Sequence, residues 1–205
     1  MVTYTVAVEI DPSQITSLNL NKSTLCIGRV VKDTAGVEHC NIIAATCSTV
    51  QPHMKFTWTD EYKIVGAKIT FKEGVTISGQ AGGHSIEGGQ MYTITDWSTE
   101  TVSKDESVPN DSFGFTNKML CSPILMMKID NAYQPIYISA AERGEGTTII
   151  TPMPKVHVWF QDSAVTATMS ANYKSRSWPV SLVADKTAWA QYTAEGKFTG
   201  YTPSK

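Results

Sequence analysis

Apolar and polar residues alternate with a period of two along almost the whole chain, interrupted by Gly, Pro, Asn and Asp. The first such stretch puts Tyr4, Val6, Val8 and Ile10 on one face and Thr3, Thr5, Ala7 and Glu9 on the other. It ends at Asp11-Pro12-Ser13-Gln14, where Asp suits an N-cap, Pro the first helical position and Gln the third. This capping-box pattern predicts one short helix from 12 to 18, closed by Asn19 to Asn21. Strands are then predicted at 24–32 and 37–46, joined by a hairpin loop at Asp33-Thr34-Ala35-Gly36. Further strands are predicted at 55–59 and 62–71 on either side of Asp60-Glu61, then at 75–78, 90–97 and 113–118. The series continues at 120–129 and 134–139 around a turn at Asp130-Asn131-Ala132, and at 147–151, 155–161, 164–170, 177–184 and 187–193.

Two segments break the alternation. The stretch 79–89 is dense in glycine, and 98–111 is polar and acidic; both read as mobile loops. Roughly twelve to fourteen strands exceed what one flat open sheet holds without curling or splitting. The expected fold is therefore all-β, an antiparallel two-layer sandwich with one short N-terminal helix. No repeat of about 20–50 residues recurs, which excludes a propeller or solenoid and leaves one domain over 1–205.

Composition narrows the partners. The 205 residues carry 17 basic and 19 acidic side chains, a net charge of −2 that gives no field for phosphates, so nucleic acid is not expected. Ser and Thr form about a fifth of the chain, in keeping with strands. The first residues read as a strand rather than a leader, and no apolar run approaches the ~20 residues of a spanning helix. A cytoplasmic protein without a transmembrane segment is the expectation. The four cysteines, Cys26, Cys40, Cys47 and Cys121, then read as buried thiols.

Several chemistries fail on context. The glycine-dense stretch carries His84 and Glu87 where a phosphate loop needs Lys, and a strand follows it rather than a helix. His39, Cys40, Cys47 and His53 lack the close pairing of a zinc site, and adjacent residues on a strand face opposite ways, so no metal is expected. No nucleophile-elbow motif occurs. The carboxylates Glu9, Glu38, Asp60, Glu61, Glu73 and Asp96 fall at strand ends or on polar faces, and no pair stands out for glycoside chemistry. The chain does not read as an enzyme.

The aromatic residues say more. In 155–161, Val156, Val158 and Phe160 share one face, and Lys155, His157, Trp159 and Gln161 the other. A Trp on so polar a face either lines a cleft or packs under a loop with its N–H satisfied. Trp97 ends a strand beside the acidic segment, and Trp178 precedes Pro179 near Tyr173, Lys174 and Arg176; both suit a rim or an edge. Trp58 and Trp189 lie within strand alternation and read as core. Trp97, His157, Trp159 and Trp178 are thus the candidate ligand-lining residues, the rings for stacking and the imidazole for a hydrogen bond.

The N-terminal strand and capped helix, Leu25-Cys26-Ile27-Gly28-Arg29-Val30-Val31, Phe56-Thr57-Trp58-Thr59-Asp60-Glu61-Tyr62 and Val156-His157-Val158-Trp159-Phe160 together resemble a group of mushroom fruit-body β-sandwich proteins that includes pigment-carrying chromoproteins. The resemblance covers most of the chain and assigns no ligand contacts. It implies a protein that holds an organic chromophore non-covalently and without catalysis. The expected function is therefore non-enzymatic binding of a flat aromatic pigment. A carbohydrate-binding defence lectin or a membrane-active toxin-like protein is the alternative, a storage or structural protein with no ligand is a third reading, and homo-oligomerisation is left open.

Overall fold

The computed structural model describes residues 2–78, 82–139, 144–171 and 177–203. Among the described residues there are one helix, α1 (Pro12–Leu20), and fifteen strands in two sheets packed together. The first sheet contains β1 (Thr3–Ile10), β5 (His53–Ala67), β6 (His84–Ile86), β10 (Ser122–Ile129), β11 (Ala132–Ile138), β14 (Thr187–Tyr192) and β15 (Phe198–Gly200). Its order is β11-β10-β5-β1-β14-β15, with β6 also on β5. The second contains β2 (Ser23–Lys32), β3 (Glu38–His39), β4 (Ala45–Cys47), β7 (Gln90–Asp96), β8 (Thr99–Lys104), β9 (Phe113–Asn117), β12 (Gly146–Asp162) and β13 (Trp178–Ser181). Its order is β3-β2-β12-β9-β7-β8, with β4 beside β2 and β13 beside β12. Most pairings are antiparallel as expected, but β1–β14 and β7–β9 run parallel.

The core follows the alternation. Val6, Val8 and Ile10 of β1, Leu25, Ile27 and Val31 of β2, and Val156 and Val158 of β12 are buried in one cluster. β10 explains its continuous apolar run by being covered on both faces. Leu125, Met127 and Ile129 enter that main cluster, while Ile124 and Met126 join a second one with Ile42, Ile77 and Met169.

Several predicted breaks are absent. β5 runs unbroken through Asp60-Glu61, because β1 pairs its first half and β10 takes over as β1 ends. β12 likewise joins two predicted strands across Pro152 and Pro154. It passes from β9 to β2 with a register shift between Pro152 and Val156, where missing prolyl N–H donors matter least. The acidic segment 98–111 is not a loop throughout, since Thr99–Lys104 forms edge strand β8 on β7; its polarity is that of an edge with one wet face. The predicted strands at 75–78 and 164–170 reduce to isolated bridges, Thr76↔Thr168 and Ile42↔Met169. β15 was not foreseen. Of the glycine-dense stretch, His84–Ile86 pairs with β5, and residues 79–81 lie outside the described residues.

Local signals held closely. Asp11 caps α1 by accepting from the Ser13 amide at 2.9 Å. The capping box is only half made, because Gln14 Nε2 donates to the Ala194 carbonyl at 2.6 Å instead of turning back to Asp11. Asp130 and Asn131 both take positive φ, 46° and 66°, as a two-residue hairpin turn requires. The four cysteines are thiols, three of them buried and Cys47 half-buried.

Candidate functional site

The four residues singled out from the sequence do not converge. Trp159 is 2% exposed, packed with Cys26, Val30, Cys40 and Ile43, and its indole N–H donates to Gln161 Oε1 at 3.1 Å. This corrects its reading as a cleft residue. Ile43, packed in the same cluster as the ring, exchanges backbone hydrogen bonds with Ala167 and Thr168. His157 is half-buried, with Nδ1 2.9 Å from Ser177 Oγ. Trp97 is 41% exposed at the β7–β8 turn, with the Lys68 ammonium 4.7 Å from its ring centre. Trp178 lines a cleft; its neighbours Tyr173, Lys174 and Arg176 lie outside the described residues. Trp58 is core as expected, whereas Trp189 is half-buried beside Tyr201.

The Trp178 cleft has a volume of about 610 Å³ and is walled by Leu18, Phe160, Tyr192 and Phe198, with Asp162 and Lys197 at its edge. Its rings are largely spent on one another: Tyr192 lies 4.8 Å from both Phe160 and Phe198.

A second cleft, about 670 Å³, opens where the two sheets part at one end of the core. The alternation that builds the core also builds this opening. On β2 the inward series Leu25, Ile27, Val31 is interrupted by Arg29, and on β5 the series Phe56, Trp58, Tyr62, Ile64 is interrupted by Asp60. Both charged positions border the opening, Asp60 exposed and Arg29 buried. Tyr4, Tyr62, Phe113 and Tyr133 supply the aromatic walls. Gly88 closes one side against Asn110 so tightly that a Cβ on it would meet the Asn110 carbonyl oxygen at 1.9 Å.

Arg29 is the unusual member. It is 3% exposed, yet Nε and Nη1 of its guanidinium have no hydrogen-bond partner among the described residues. Its neighbours are rings: its guanidinium carbon lies 5.4 Å from the Tyr4 centre and 6.0 Å from that of Trp58. Leaving a buried charge unpaired costs several kcal/mol, and ring-face contacts return only about 0.5–2 kcal/mol. The folded chain keeps this shortfall at a cleft.

Several other polar groups of the cleft are engaged. The Tyr62 hydroxyl donates to Asp60 Oδ1 at 2.7 Å. Burial raises the pKa of both Tyr4 and Tyr62, with nearby Asp60 adding to the effect and Arg29 opposing it, so both stay phenols. Lys128 Nζ reaches both oxygens of Glu61, at 3.1 and 2.9 Å, and holds that carboxyl below its usual range. The Tyr133 hydroxyl donates to the same carboxylate at 3.4 Å, while Lys63 Nζ sits 4.5 Å from the Tyr133 ring centre. Glu87 and Asp111 complete a rim rich in carboxylates.

The sequence carried a signal for this site. An Arg inside the apolar every-second-residue series of β2 is as anomalous as a Trp on a polar face. Among the described residues no group of His, Cys, Asp and Glu could hold a metal ion, and no helix is long and apolar enough to cross a membrane. No protein-family model, curated protein or solved structure matches the chain.

Proposed function

We propose that the chain is a non-enzymatic binding protein that holds a flat aromatic small molecule, of the pigment class, non-covalently in the Arg29 cleft. The observation that carries this reading is the opening between the sheets, about 670 Å³, walled by Tyr4, Tyr62, Phe113 and Tyr133. That volume falls within the few hundred to a thousand Å³ of small-molecule sites, and ring walls favour a planar guest. The seat thus moves away from Trp97, His157, Trp159 and Trp178. Binding is favoured over catalysis because two of the cleft's carboxylates are committed: Glu61 is held ionised by Lys128, and Asp60 accepts from Tyr62. A glycosidase acid needs a carboxyl kept protonated near neutral pH. The resemblance to mushroom fruit-body chromoproteins belongs to this proposal.

The test has two parts. Protein isolated from its source should show an absorption band beyond the aromatic region together with mass in excess of the chain. Ligand-free protein should bind the neutral fluorophore phenylnaphthylamine one to one, and Tyr133→Ala, which removes a half-buried wall, should weaken that binding several-fold. A colourless protein of chain mass that also fails to bind the fluorophore would sink the reading.

A further inference from the structure

The aromatic walls leave the charge of the guest open, and Arg29 addresses it. We infer that the molecule held in this cleft carries one singly charged acid group, a carboxylate or sulfonate, that docks on the Arg29 guanidinium. The inference rests on the aromatic-ligand reading above and adds the ligand's charge and orientation.

Three observations support it. The guanidinium is almost wholly buried, borders the cleft, and has N–H groups without partners. An acid group arriving there replaces no existing ion pair, because no carboxylate lies within salt-bridge distance of Arg29 among the described residues. Charge-assisted hydrogen bonds to a desolvated guanidinium are the strong kind, and Arg stays protonated at any pH the fold survives. Tyr4 and Trp58 also stack 5.9 Å apart beside the guanidinium.

The rim limits the charge. Asp60, Glu61, Glu87 and Asp111 border the same opening, and Lys128 offsets only Glu61. A second negative group at the mouth would face those carboxylates, whereas hydroxyl or amine donors there would find acceptors. The guest is therefore oriented acid end inward, ring system between the walls, donor groups outward.

A matched pair of probes separates this inference from the reading beneath it: phenylnaphthylamine, which is neutral, and anilinonaphthalene sulfonate, the same ring system with one sulfonate. On the wild-type protein the two should compete for one site, with the sulfonate binding about ten- to a hundred-fold tighter, the span expected of a hydrogen bond to a charged group. Arg29→Met should abolish that preference, and Arg29→Lys should keep part of it. Equal affinities on the wild type, or a preference that survives in Arg29→Met, would overturn the inference and leave the aromatic reading standing. Failure of both probes to bind the wild type overturns both. The wild-type comparison needs no variant to fold.

Discussion

The Tyr62 hydroxyl donates to Asp60 Oδ1 at 2.7 Å, two residues back along the same face of β5. Burial raises the Tyr62 pKa well above the usual 10 for a phenol, and Asp60 adds to it against the opposing charge of Arg29. In the unfolded chain the same phenol ionises near 10. Because the folded pKa is the higher one, the stabilisation is fully present below pH 10 and is lost as pH rises above it. Burial raises Tyr4, Tyr92 and Tyr192 in the same direction. A spectrophotometric titration of native protein should therefore leave Tyr62 and Tyr92 un-ionised until the alkaline unfolding transition, with Tyr4 and Tyr192 titrating above free phenol. In Tyr62→Phe, stability measured in urea should fall less steeply above pH 10 than in the wild type.

Asp33 gives the opposite dependence. Its carboxylate closes the β2–β3 loop by accepting from the Ala35 amide at 2.9 Å, the Val37 amide at 3.0 Å and His39 Nε2 at 3.0 Å. Burial alone would raise its pKa, but these donors outweigh it and the net shift is downward. A lowered folded pKa stabilises above the unfolded value near 4 and loses that contribution as pH falls through the folded one. Asp33→Asn should destabilise by about 1–2 kcal/mol at pH 7, the scale of hydrogen bonds to a charged acceptor. The gap to wild type should close below pH 4 in urea titrations.

How much of this was legible depended on whether the signal was local. The Asp11 cap, the Asp33 loop and the Asp130-Asn131 turn are set by side chains within a few residues of their partners, and each formed where the sequence placed it. The continuity of β5 and β12 was not legible, because it depends on which strand supplies the next hydrogen bonds beyond Asp60 or Pro152. Trp159 misled for the same reason, since it is buried against Cys40 and Ile43, remote in sequence. Arg29 was legible as an anomaly in its own apolar series, but its role required knowing that Tyr4, Tyr62 and Phe113 meet at the same opening.

The packing around Trp159 makes its own prediction at Gly28. A Cβ there would stand 2.4 Å from Cys40 Sγ, 3.1 Å from the Ile42 carbonyl oxygen and 3.2 Å from the Trp159 ring. Overpacking of this kind costs about 1–3 kcal/mol. Gly28→Ala should fall in that range by chemical denaturation, and Cys40→Ala should recover part of the loss when combined with it. Strict additivity of the two changes would show that the sulfur is not the obstruction.

Arg29 itself should be a liability to the empty protein. Its guanidinium is desolvated, two of its nitrogens have no partner among the described residues, and its nearest compensation is the faces of Tyr4 and Trp58. Replacing buried ionic groups by apolar side chains of similar volume is often neutral or stabilising by about 1–4 kcal/mol, and Met has the length and flexibility to fill the same channel. Arg29→Met should therefore unfold at the same or higher temperature than the wild type when neither carries a ligand. With saturating anilinonaphthalene sulfonate the order should reverse, because only the wild type gains the charge-assisted bond and binding to the folded state alone raises its midpoint. A ligand-free Arg29→Met that melts well below the wild type would mean that the guanidinium is already satisfied within the fold.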